Sequence, residues 1–117
     1  MENSKRSIFI EVVRLIKSSE DKYIQKDFKG ALEDKLKVKE LLMDNLFSNK
    51  EYMDKYKQEL SKLYNSKFDL IKDHKMKIND IKRKKIIDLL ENKSKKKELL
   101  GDYEGAVKAL RRSEKYQ

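Results

Sequence analysis

Not one proline occurs in the 117 residues of this chain, and only three glycines do. Proline and glycine build most turns and interrupt helices. A chain so poor in both has little means of reversing direction except at a few polar breaks. Its polar filler is Lys, Glu and Gln, which are good helix formers. Ile, Leu, Val, Phe and Tyr recur throughout at three- and four-residue spacing, the mark of helices that bury one face. Charged residues reach 44% and the hydrophobic set 38%, but this periodic apolar content argues against disorder for most of the chain. The expectation is an all-α fold without β-sheet: helical hairpins or an extended bundle around one long central helix, coiled-coil-like, with residues 1–117 forming a single helical unit.

Polar breaks divide the pattern into four helices. The first spans about residues 4–25, with Ile8, Val12, Leu15 and Ile16 on one face and Ser4 or Ser7 as cap. A break at Lys26-Asp27 follows, and Asp27 caps a second helix over about 27–47 carrying Phe28, Ala31, Leu32, Leu36, Leu42 and Leu46. The third begins near Lys50, after Ser48-Asn49. Stepped at about 100° per residue, Tyr52, Met53, Tyr56, Leu60, Leu63, Leu70, Ile71, His74, Ile78, Ile81 and Leu89 share one stripe, interrupted by Lys67 and Lys85. A stripe that holds its phase predicts one continuous helix within about 50–99, running from Lys50 to at least the mid-90s and so roughly 60–70 Å long or more. Breaks at Asn65-Ser66 or Asn79-Asp80 are the competing reading. Gly101 then ends the helix, and Asp102 caps a fourth over about 102–116. Helices of ordinary length cannot cover so long a stripe. Tyr56, Leu60, Leu63, Leu70, Ile71, Ile78 and Ile81 are therefore read as an apolar surface for a partner or for self-association.

The second and fourth helices begin alike. Asp27-Phe28-Lys29-Gly30-Ala31-Leu32 aligns with Asp102-Tyr103-Glu104-Gly105-Ala106-Val107 at a constant offset of 75 residues, and Ser19 aligns with Ser94. In each copy Asp caps the new helix and the aromatic packs back across the turn. The Gly-Ala pair is read as a place of close helix approach. Asp27, Phe28, Gly30, Asp102, Tyr103 and Gly105 thus mark two αα-hairpin turns. Residues 94–116 resemble the UVR motif, a small helical hairpin with Asp-aromatic-Glu-x-Ala at the start of its second helix and often Leu-Arg soon after. The matching residues are Asp102, Tyr103, Glu104, Ala106, Leu110 and Arg111. The copy at Asp27 has Lys29 for the Glu and lacks the Leu-Arg. Tetratricopeptide hairpins are similar at this point, but their period is about 34 residues. The resemblance covers some twenty residues per copy and implies a protein-interaction hairpin with no catalytic residues. Hairpins of this kind occur in bacterial repair and protease-adaptor proteins and in ciliary and centrosomal coiled-coil proteins.

Charge is uneven. The net charge is +9, and residues 72–97 alone carry eleven bases against four acids. The bases are Lys72, Lys75, Lys77, Lys82, Arg83, Lys84, Lys85, Lys93, Lys95, Lys96 and Lys97. Such a rod attracts acidic partners: an acidic protein surface such as polymerised tubulin, nucleic acid or anionic lipid. Lysine supplies charge more than base readout, which favours Arg, Asn and Gln.

Catalytic chemistry has little to work with. There is no Cys and a single His, so thiol catalysis, disulfides and Cys-ligated metal fall away. His74 sits in the apolar stripe with no second imidazole to join it. Glu20-Asp21 and Glu33-Asp34 are adjacent pairs that point to different helix faces. No Gly-rich phosphate loop occurs. The reading is a protein without cofactor and without enzymatic activity. No apolar run approaches the ~20 residues of a transmembrane helix, and residues 8–16 carry Glu11 and Arg14, unlike a signal peptide. An intracellular, non-secreted protein is expected, in the cytoplasm or on the cytoskeleton or an organelle. Its function is that of a structural or adaptor subunit binding an acidic surface in a larger assembly, microtubule, ciliary or multi-subunit. The alternative is a nucleic-acid-binding accessory protein using 72–97 on the phosphate backbone.

Overall fold

The computed structural model describes residues 2–64 and 80–116. Helices occupy nearly all of them: α1 (Glu2–Ile24), α2 (Phe28–Leu41), α3 (Lys50–Tyr64), α4 (Asp80–Leu99) and α5 (Tyr103–Glu114). A π-helical turn, Leu42–Leu46, prolongs α2, with Asn45 Nδ2 donating to the Leu41 carbonyl at 3.1 Å. No strand occurs among the described residues. The fold is all-α. The chain was read above as a single unit, whereas its contacts divide it into two compact ones, Met1–Asn65 and Ser66–Gln117. Of the range 50–99 expected as one continuous helix, Lys50–Tyr64 and Asp80–Leu99 are helical, and 65–79 lies outside the described residues.

In the first unit α1 and α2 form a hairpin, and α3 packs against α1. The core draws Val12, Leu15 and Ile16 from α1, Ala31, Leu32 and Val38 from α2, Leu42 and Leu46 from the π turn, and Tyr56, Leu60 and Tyr64 from α3. The Phe9 and Tyr52 rings meet at 5.5 Å between α1 and α3. One charge enters this core: Lys35 is buried, and its Nζ donates to the Tyr64 hydroxyl at 2.8 Å. Lys35 occupies α2's inward line with Leu32 and Val38, where the tyrosine oxygen gives the ammonium a polar partner that aliphatic neighbours cannot. The second unit is built on the α4–α5 hairpin, with Leu90 and Ser94 of α4 and Ala106, Val107, Ala109, Leu110 and Ser113 of α5 buried.

The two hairpin turns share the same backbone closure and the same cap at the offset of 75. Each first helix ends in a left-handed residue, Lys26 (φ 66°) in one turn and Gly101 (φ 79°) in the other. The next amide reaches back into that helix: Asp27 N–H donates to Lys22 O, and Asp102 N–H to Lys97 O, both at 2.8 Å. This is the six-to-one closure that satisfies orphan carbonyls at a helix end. The same Asp then caps the next helix. Asp27 Oδ1 accepts from Gly30 N–H at 3.1 Å, and Asp102 Oδ1 from Gly105 N–H at 3.0 Å. Asp27 and Asp102 share backbone angles near φ −86°, ψ 74°. Phe28 folds back onto Tyr23, ring centroids 5.5 Å apart and edge to face.

One detail differs from the expectation. Close helix approach was assigned to the Gly-Ala pair; in the first turn only the alanine serves it, and in the second Gly105 shares it. Ala31 and Ala106 are wholly buried, and Ser94 Oγ donates across the hairpin to the Ala106 carbonyl at 2.9 Å. A β-carbon on Gly30 or Gly105 would instead collide with the capping Asp carboxylate. Both glycines make room for the cap, and Gly105 also for Lys97 of α4, whose Cδ a β-carbon would meet at 2.7 Å.

The turn geometry predicts effects of opposite sign. At Lys26 a side chain occupies a backbone conformation that suits glycine. Lys26→Gly should therefore stabilise the first unit by about 1 kcal/mol, and Gly101→Ala should destabilise the second by a similar amount. Thermal unfolding checks both: Tm rises for the first and falls for the second. A fall for Lys26→Gly would contradict the turn.

Candidate interaction surface

Helix α4 carries the densest charge, and its rotation decides what that charge faces. Its packed line runs Arg83, Ile87, Leu90, Ser94, Lys97, in steps of four and three, and all five are half-buried or buried. The opposite face is open. Lys82, Lys84, Lys85, Lys93, Lys95 and Lys96 are exposed on it or at its edges. Asp88 is the acid set among them, and Asp80 stands at the helix start. Among the described residues none of Lys84, Lys85, Lys93, Lys95 and Lys96 is seen in an ion pair.

The charge read from the sequence as one segment is thus sorted. Six lysines point outward, and Arg83 and Lys97 turn toward the packed side. Lys97 is committed to the turn, its Nζ lying 3.4 Å from Asp102 Oδ2. Lys72, Lys75 and Lys77 lie outside the described residues.

The apolar stripe needs a larger correction. Tyr56 and Leu60, assigned to a partner surface, are 2% and 0% exposed. They form the face that α3 buries within its own unit. Leu63 beside them is half-buried. Leu70, Ile71 and Ile78, with His74, lie outside the described residues. On α4 the stripe comes out on the opposite side: Ile81 and Leu89 are each 69% exposed. The cause is the hairpin turn. The Asp102 cap and the Ser94–Ala106 hydrogen bond fix which side of α4 meets α5, and that side is not the stripe's. Stepped at about 100° per residue within α4, Ile81 and Leu89 fall roughly 120–160° from the buried line of Leu90 and Ser94. Ile81 therefore remains a surface residue, while Tyr56 and Leu60 do not.

Two features escaped the sequence reading. Leu99 and Leu100, at the end of α4, are 86% and 83% exposed, and they join Ile81 and Leu89 among the outward lysines. The other is the buried Lys35–Tyr64 pair. Aligning the two hairpins supplies the missing signal, because Lys35 falls opposite Leu110, and both are buried.

No family model, no curated protein and no solved structure matches this chain. Among the described residues no three acidic or imidazole side chains converge as metal ligands, and no helix is long and apolar enough to cross a membrane. What the described residues of the second unit offer a partner is charge and exposed aliphatic surface. The hairpin turns hold both in place.

Asp102 joins the two. Its carboxyl is held below the usual carboxylate range, first by the Gly105 N–H, against a smaller opposing effect of desolvation, and then by Lys97 and Lys108. The folded state thus binds this proton more weakly than the unfolded chain does. The cap's contribution is complete above the ordinary Asp range and is lost as pH falls through the depressed folded value. Titration of the Asp102 carboxyl by carbon NMR should give a midpoint below that of an unstructured Asp, and Asp102→Ala should remove part of the acid-side loss of stability. A midpoint at or above the ordinary value would contradict the cap.

Proposed function

We propose that this chain is a non-catalytic structural or adaptor subunit that attaches to an acidic surface of a larger assembly through the outward face of α4. The observation that supports this is the sorting of charge. Six exposed lysines stand on one helix, with Asp88 the acid set among them. The protein's field is correspondingly lopsided: the first unit holds 14 bases and 12 acids, the second 16 and 9. Exposed lysines are strongly hydrated point charges that make little use of a single fixed geometry. They suit a surface recognised by charge density, such as a microtubule lattice or a multi-subunit membrane complex. The resemblance of residues 94–116 to interaction hairpins points the same way.

Reversal of Lys82, Lys84 and Lys85 to Glu tests the reading. These side chains are exposed, so helix content should not change. Affinity capture from native extract, with and without nuclease, should recover a nuclease-resistant assembly with the wild-type chain and lose it with the reversed one. An assembly retained by the reversed variant would refute attachment through α4. Loss on nuclease treatment would transfer the lysines to a phosphate backbone, with binding that falls at a log–log salt slope of about −0.9 per phosphate.

A further inference from the structure

From the placement of the exposed aliphatic side chains we infer that the acidic surface taken by α4 is an anionic lipid leaflet, with α4 lying along it. This rests on the attachment reading above and names its target.

The outward face is not purely cationic. Ile81, Leu89, Leu99 and Leu100 are all more than two-thirds exposed. Projected at about 100° per residue, these four fall within an arc of roughly 100°. Lys85 and Lys96 lie inside that arc, with Lys84 and Lys95 at one edge and Lys82 and Lys93 at the other. Aliphatic side chains with lysines both among and beside them can be taken up by an interface between water and acyl chains, where each long stem carries its charge out to the headgroups. The short apolar groups enter between headgroups, and the long lysine stems reach back to the phosphate layer.

The same residues fit the other anionic partners less well. Along the outward line, Lys82, Lys85, Leu89, Asn92, Lys96 and Leu99 follow three-four spacing, so lysine and asparagine interrupt the aliphatic groups. A partner helix would find no dry seam there. A fluid leaflet needs no register. A phosphate backbone would satisfy the lysines but would leave four exposed aliphatic side chains in water. A second copy of the chain would set lysine against lysine. The described helices hold no membrane span, so attachment would be peripheral. Each lysine near an anionic leaflet contributes about five-fold in partitioning.

The test is flotation of the full chain with vesicles of phosphatidylcholine alone or with 30 mol% phosphatidylserine, beside a gel-shift assay on duplex DNA at the same salt. Two variants accompany the wild type: Lys82, Lys85, Lys93 and Lys96 to Gln, and Ile81, Leu89 and Leu99 to Ser. All seven side chains are exposed, and circular dichroism verifies folding. The wild type should float with the phosphatidylserine vesicles and not with phosphatidylcholine alone. The lysine variant should lose affinity by two to three orders of magnitude, and the aliphatic variant by at least ten-fold. Flotation unaffected by the aliphatic substitutions overturns the inference, since adsorption would then be charge alone. Failure to float, with DNA bound through the lysines, also overturns it and leaves attachment by α4 standing. Failure on the vesicles, together with an assembly captured equally well by the charge-reversed chain, overturns both.

Discussion

The hairpin turn is the constraint on which the rest of this structure depends. In each turn one residue takes a left-handed backbone, and the following amide reaches back to close the first helix. The carboxylate of that same Asp opens the second. Three local interactions thereby set the angular position of two helices. Once the turn is closed, Ala106 faces Ser94, and the Ser94 hydroxyl donates a hydrogen bond to the Ala106 carbonyl in the hairpin core. The side of α4 away from that contact has no choice but to point outward. The disposition of its lysines therefore follows from turn chemistry several residues away, not from the lysines themselves.

This explains what could be read from the sequence and what could not. The all-α class was legible because it rests on absent residues: without Pro and with three Gly, the apolar periodicity has no competitor. Asp27, Asp102 and Gly101 were legible because capping is local chemistry carried by distinctive residue types. Lys26 was not, since a left-handed lysine carries no signature of its own and shows only when its turn is laid on the Gly101 turn. The apolar stripe was legible in α3, where Tyr56 and Leu60 bury against α1's unit, and misleading in α4. Periodicity says that a helix has a preferred face. It does not say which face a neighbouring turn will choose, and on α4 the choice went to Ile87, Leu90 and Ser94. Ile81 and Leu89 share the stripe's phase but lie in water. The glycines were legible only in part for a related reason: a missing side chain looks like room for a helix, whereas at both positions it is room for a carboxylate and only at Gly105 also for Lys97 of α4.

The two units share a hairpin and differ in what was added to it. Among the described residues, the first has a third helix, fills its core with tyrosine and leucine, and buries Lys35 against Tyr64. Its charges nearly balance. The second keeps the same turn but carries most of the net charge, with aliphatic side chains left outside. One scaffold thus appears in two uses, one favouring a compact core and the other a displayed cationic surface. The proposed division of labour puts attachment on α4 and leaves the first unit's core to structure.

Lysine footprinting tests that division most directly. The chain is treated with an amine-acylating reagent free in solution and again while bound in its native assembly, and each lysine is read by mass spectrometry. The account predicts protection on binding at Lys82, Lys84, Lys85, Lys93, Lys95 and Lys96. Lys5, Lys17, Lys29 and Lys37 of the first unit, all exposed, should react equally in both states. Protection confined to the first unit, with the α4 lysines still fully reactive, would contradict it.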